Sequence, residues 1–97
     1  MAPKLTPRER AHLKARAHAL EPVVQTGGSG LTDRLVAEVD RSLTAHELIK
    51  VKVGSDDRGE RAAIGEDLAA RTGAAVVHRV GKILILWRPR PAEDPSA

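Results

Sequence analysis

The sequence predicts a small α/β domain of element order αβαβαββ, two layers deep, built on a four-stranded mixed sheet. Three observations carry that prediction. Apolar residues recur at helical spacing in three separate stretches, each opened by a capping signal or a glycine turn. Short β-branched runs lie between those stretches. The last two runs meet at Gly81-Lys82, a two-residue loop with glycine first, which is the signal of a type II′ hairpin. No segment repeats, and the helices are expected to cover one face of the sheet.

The elements follow in order. Residues 1–5 read as a flexible end. Thr6 is an N-cap, Pro7 suits the first helical position and Glu9 completes a capping box, so a helix starts there and runs to about Ala19. Leu13, Ala17 and Leu20 form its apolar stripe, while Arg10, Lys14 and His18 line one flank at i, i+4 and i+8. Glu21-Pro22 stops the helix, because proline forces its predecessor out of helical geometry. Val23 and Val24 mark a short strand. After Gly27-Gly28-Ser29-Gly30, a second helix spans about Leu31 to Ala45, its core face being Leu35, Val36, Val39 and Leu43. From Glu47 to Val53 the residues alternate, with Ile49, Val51 and Val53 on one side and Leu48, Lys50 and Lys52 on the other. Asp57 and Glu60 offer another capping box, for a helix striped by Ile64 and Leu68 and ended by Gly73. Gly59 and Gly65 make it the weakest helix by propensity, at ~1 kcal/mol each against alanine. Residues 74–80 and 83–88 form the hairpin. The tail, 90–97, is proline-rich with Glu93 and Asp94 and is expected to be disordered, leaving 6–89 as the domain.

Composition narrows the function classes. A chain of 97 residues holds one domain, and no cysteine is present for a disulfide or a thiolate metal site. There is no apolar signal run and no stretch long enough to cross a bilayer, so a soluble cytoplasmic protein is expected. The formal charge of +3 is concentrated at the start: Lys4, Arg8, Arg10, Lys14 and Arg16 face Glu9 alone within the first eighteen residues. Such a surface favours anionic partners, nucleic acid above all. His12 and His18 fall on different helix faces, and His46 and His78 stand apart, so no metal site is expected. No nucleophile–base pair suggests catalysis. Trp87 is the only aromatic residue, which argues against base stacking and for recognition of backbone and shape.

The glycine loop lies between a strand and a helix N-terminus. It lacks the lysine of a Walker loop and the third glycine of a dinucleotide fingerprint, and Leu31 stands where a nucleophile elbow needs glycine. It does satisfy the shorter G-x-x-G pattern through Gly27 and Gly30. Without side chains to hold it off, a sugar–phosphate backbone can approach the loop amides and the positive end of the helix behind them. A plain strand-to-helix turn would satisfy the same four residues.

Several segments then occur together: Leu13-Lys14, Ala17-His18, Pro22-Val23-Val24, Gly27 with Gly30-Leu31-Thr32, His46 through Lys52, Thr72-Gly73, and Val80-Gly81-Lys82 through Arg88-Pro89. In this order they resemble the CRM domain, the YhbY-like family of small RNA-binding proteins associated with ribosome assembly, over about Leu5 to Pro89. The resemblance implies a fold similar to the C-terminal domain of bacterial translation initiation factor 3, with the G-x-x-G loop touching RNA. It departs from the family in lacking a basic residue between the glycines, where Gly28 and Ser29 stand. The expected RNA-binding residues are therefore Gly27, Gly28, Ser29 and Gly30, with Lys14, His18, Arg10 and Lys82 supplying charge. The expected partner is ribosomal RNA or the large-subunit precursor, bound by a monomer that is no enzyme and needs no cofactor. The alternative is a ribosome-associated module that docks on protein without gripping RNA.

Overall fold

A computed structural model describes residues 4–26 and 30–89. The elements are α1 (Pro7–Ala17), β1 (Pro22–Gln25), α2 (Asp33–His46), β2 (Leu48–Lys52), α3 (Arg58–Thr72), β3 (Ala75–Val80) and β4 (Ile83–Trp87). The sheet order is β1-β2-β4-β3, with β1 parallel to β2 and the other pairs antiparallel. The αβαβαββ order and the four-stranded mixed sheet are thus as the pattern predicts. A parallel pair needs a crossover, and α2 supplies it between β1 and β2.

Local signals place most boundaries. Thr6 Oγ1 accepts from Glu9 N and Thr6 N donates to Glu9 Oε1, both at 3.1 Å, closing the capping box on α1. That helix stops at Ala17, two residues early, because His18 N and Leu20 N turn back to Ala15 O and Ala17 O in tighter i→i−3 bonds. Thr32 Oγ1 accepts from Leu35 N and starts α2. Asp57 Oδ1 accepts from Glu60 N at 3.0 Å, whereas Asp57 N donates to Ser55 Oγ, so half of the expected box forms on α3. Gly73 ends α3 in the left-handed region at φ 70°. Gly81 has φ 55° while Lys82 is not positive, the φ pattern of a type II′ turn.

Packing corrects the expected two layers: the helices cover both faces. On one side, α2 and α3 bury Leu35, Val39, Leu43 and Leu68 against Ile49, Val51, Leu84 and Leu86. On the other, α1 buries Leu13 and Ala17 against Leu48, Val77 and Ile85, with Leu5, Ile83 and Trp87 half-buried around them. The reason lies in β4. Its sequence ILILW is apolar on both sides, and such a strand must be covered twice. Leu5 therefore packs rather than hanging in a loose end, while Leu20, expected in the α1 stripe, lies beyond the helix and is exposed. No helix among the described residues is long and apolar enough to cross a membrane.

Candidate nucleic-acid interface

One end of the sheet gathers the loops of interest. Gln25 pairs with Lys52, Lys52 with Ile83, and Ile83 with Val80, so the last residues of β1 and β2 stand in one row with the β3–β4 turn. Hydrogen bonds extend the row. Thr26 N donates to Lys52 O at 2.8 Å, and Val53 N donates to Lys82 O at 2.7 Å. Thr26 Oγ1, fully buried, accepts from Gly54 N at 2.8 Å. Thr26 is the residue from which the chain enters the glycine loop. It is a positioning residue that sequence reasoning missed, since a lone threonine at a strand end carries no visible signal. Gly27, Gly28 and Ser29 lie outside the described residues. Gly30, where the chain leaves the loop, has φ 76°, a region that favours glycine. Two residues on, Thr32 caps α2, so the loop feeds directly into a helix N-terminus.

The predicted cations are dispersed. Lys82 stands at this end and its Nζ lies 2.7 Å from Asp56 Oδ1. The hydrogen bond and charge of Lys82, with a smaller contribution from Arg61, hold the Asp56 carboxyl below its ordinary value. Lys14 and His18 are exposed on α1, across the sheet from α2 and α3, with His18 as its C-cap. Arg10 is already engaged: its NH1 donates to Val76 O at 2.7 Å and Val77 O at 2.9 Å. Those carbonyls flank the register shift in β3, an edge strand, so the guanidinium covers a bulge and ties α1 to the sheet. The structure thus places Lys82 at the same end of the sheet as Thr26, and Arg10, Lys14 and His18 on α1 over the other face.

Other cations fill the same end. Lys52 is exposed at the tip of β2. Arg58 and Arg61, three apart on α3, and Arg79 on β3 line a cleft of about 430 Å³ with Ala62 and Gly81. Their signal in the sequence was the i, i+3 spacing of two arginines just after an N-cap, but nothing local joined Arg79 to them. Among the described residues no group of three His, Asp or Glu is placed to hold a metal ion. The buried polar side-chain atoms among them all have hydrogen-bond partners.

Comparison with known proteins agrees with this architecture. A protein of Haemophilus influenzae named as an RNA-binding protein is 45% identical over 85 residues, covering 88% of this chain and 86% of the relative. A protein of Pseudomonas aeruginosa named as a probable RNA-binding protein is 36% identical over 92 residues, covering 95% and 88%. A solution structure from Staphylococcus aureus, described as a candidate RNA-binding protein, superposes with a TM-score of 0.80 at 25% identity, covering 95% of this chain and 94% of that one. The profile of the CRS1 / YhbY (CRM) domain matches residues 5–88. With nearly the whole domain matched in sequence and in fold, the chain belongs to the CRM domain family.

Proposed function

We propose that this protein is an RNA-binding protein and not an enzyme, and that it holds structured RNA by the phosphate backbone during assembly of the large ribosomal subunit. The observation that carries the reading is at the basic end of the sheet: Gly30, at positive φ, leads into the capped N-terminus of α2, with Lys52 and Lys82 on the adjoining strand ends. Backbone amides and a helix dipole suit an anion there, and the lysines add charge around it. A single tryptophan, half-buried against the α1 cluster, offers little for stacking, so recognition follows shape and phosphate. The names of the relatives point the same way. Lys82 reaches RNA by leaving Asp56, an exchange that an exposed ion pair permits at small cost.

Titration with fragments of large-subunit ribosomal RNA tests this. With about three to five phosphate contacts, the logarithm of affinity should fall against the logarithm of salt with a slope of roughly −2 to −4.5. The double replacement Gly28→Asp and Ser29→Asp adds two carboxylates between the glycines of the G-x-x-G pattern, and about a tenfold or greater loss is expected with circular dichroism unchanged. Affinity that does not change between about 50 and 200 mM salt would instead favour docking on protein. A folded double variant that binds as the parent does would reduce the loop to a turn.

A further inference from the structure

Of the three arginines in the cleft between α3 and the β3–β4 hairpin, only Arg61 has a side-chain hydrogen bond among the described residues, so the fold accounts for little of the cleft's charge. Arg58, Arg61 and Ala62 stand at i, i+3 and i+4, so they share one face of α3, and the small Ala62 leaves space between the guanidinium groups. Gly65, one turn further on, has its Cα where an added Cβ would lie 3.8 Å from Arg79 Cδ and 3.2 Å from Leu84 Cδ1. That close approach lets the Arg79 stem run along the helix toward the other two. The hairpin pairs Val80 with Ile83 and Arg79 with Leu84, which turns Arg79 to the α3 side of the sheet. Arg61 is restrained further, because its NH1 donates to Ser55 O at 3.1 Å.

Three like charges converge there, and among the described residues none of the three forms a salt bridge within 4.0 Å, as Arg34, Arg71 and Arg88 do; Asp56, whose charge Arg61 feels, is paired with Lys82. Mutual repulsion makes such a grouping costly when empty and favourable around a multivalent oxyanion, which guanidinium groups bind in a bidentate manner. A volume of about 430 Å³ admits a phosphate with part of its sugar. The cleft opens on the face that α2 and α3 share, at the sheet end where the glycine loop emerges. Three strand spacings of ~4.8 Å separate the β1 end from β3, about 14 Å, a distance spanned by a few nucleotides.

We propose that Arg58, Arg61 and Arg79 form a second phosphate site, which takes a backbone phosphate of the same RNA strand a few nucleotides from the one at the glycine loop. This rests on the RNA-binding reading above. The test uses the full chain and the same large-subunit RNA fragments. The double variant Arg58→Gln and Arg79→Gln keeps the Arg61–Ser55 bond, and it should bind about tenfold more weakly with a salt slope shallower by roughly 0.7–0.9, or one phosphate contact. In the parent protein, RNA should shift the side-chain Nε–H signals of all three arginines, and millimolar inorganic phosphate should shift them far less. If the parent binds RNA and loses it on the loop replacements, yet those signals stay still and the arginine variant binds normally, the cleft is not a phosphate site and the RNA reading stands. Equal shifts with inorganic phosphate and none with RNA would make it a small-anion site and overturn the assignment to RNA. A parent that binds no RNA at any salt defeats both readings, and that outcome is distinct from the other two. The spectroscopic arm needs no variant, so an unfolded mutant cannot obscure the answer.

Discussion

Arg10 shows how a single side chain can read as one thing in sequence and act as another in the fold. By charge and helical spacing it belongs with Lys14 and His18 on a basic flank; by geometry it serves two carbonyls of an edge strand 66 and 67 residues away. Arg10→Ala is therefore expected to lower stability by about 1–3 kcal/mol, the scale of hydrogen bonds to a charged group, and to leave the salt slope of RNA binding unchanged. Thermal melts and RNA titrations check it; an unchanged melting temperature with a slope shallower by one contact would make Arg10 a phosphate ligand instead. Asp56 allows a second prediction at this scale. Its carboxyl is held below the ordinary value by the hydrogen bond and charge of Lys82. A depressed carboxyl contributes stability that is present above the unfolded value, ~3.9, and is lost as pH falls through the folded value. Lys82→Gln should then melt slightly below the parent at pH 5 to 7, by an amount kept small by exposure, and the gap should close as pH falls through the lowered folded value. A gap that persists in acid would mean that Lys82 acts through packing.

Among the elements, α3 is the one whose composition argues against it. Two glycines weaken it as an isolated helix, yet Gly65 is buried against Leu84 of β4. The position exchanges helix propensity for close contact with the sheet, and the same contact carries Arg79 into the arginine cleft. Gly65→Leu should overpack this contact and cost about 1–3 kcal/mol despite leucine's better propensity, read as a melting temperature lower by ~4–8 °C per kcal/mol. An unchanged or raised melting temperature would show that the helix can move off the sheet at no cost. By contrast α1 needs little from propensity. Its capping box, a proline at its first position and the Arg10 tie hold both its start and its place on the sheet.

Across the whole molecule, Arg88 joins what the chain order separates. Its NH1 donates to Asp40 Oδ1 at 2.6 Å and Thr72 O at 2.7 Å, and its NH2 donates to Asp40 O at 3.0 Å and Thr44 Oγ1 at 2.9 Å. Its backbone N–H reaches Glu47 O, where the chain turns from α2 into β2 at φ 64°. One residue beyond β4 thus fastens α2, the end of α3 and the start of β2. Arg88→Ala should destabilise by about 2 kcal/mol or more, a fall of roughly 8–16 °C in melting temperature. Arg88→Lys should recover little, because a point charge cannot replace the planar fork. Full rescue by lysine would show that charge alone matters. The three-layer arrangement belongs to this scale as well: covering both sides of β4 separates the basic flank of α1 from the glycine-loop end and leaves the arginines of α3 and β3 beside it.

What the sequence by itself determined were the features encoded within a few residues. The Thr6–Glu9 box, the Asp57 cap, the Gly73 stop, the Gly81 turn and the phase of Ile49, Val51 and Val53 all formed as read, because each depends on neighbours three or four positions away. The G-x-x-G spacing and the family pattern were legible for the same reason, and with them the RNA-binding class. Only the tertiary structure decided which face α1 covers, what Arg10 and Lys82 hold, that Thr26 anchors the loop's first strand, and that Arg79 joins Arg58 and Arg61. Those outcomes depend on strand order, on a bulge in β3 and on contacts between residues far apart in sequence. The one local hint was ILILW: a strand apolar on both sides cannot be left with one face in water, so the second layer of helix was already required.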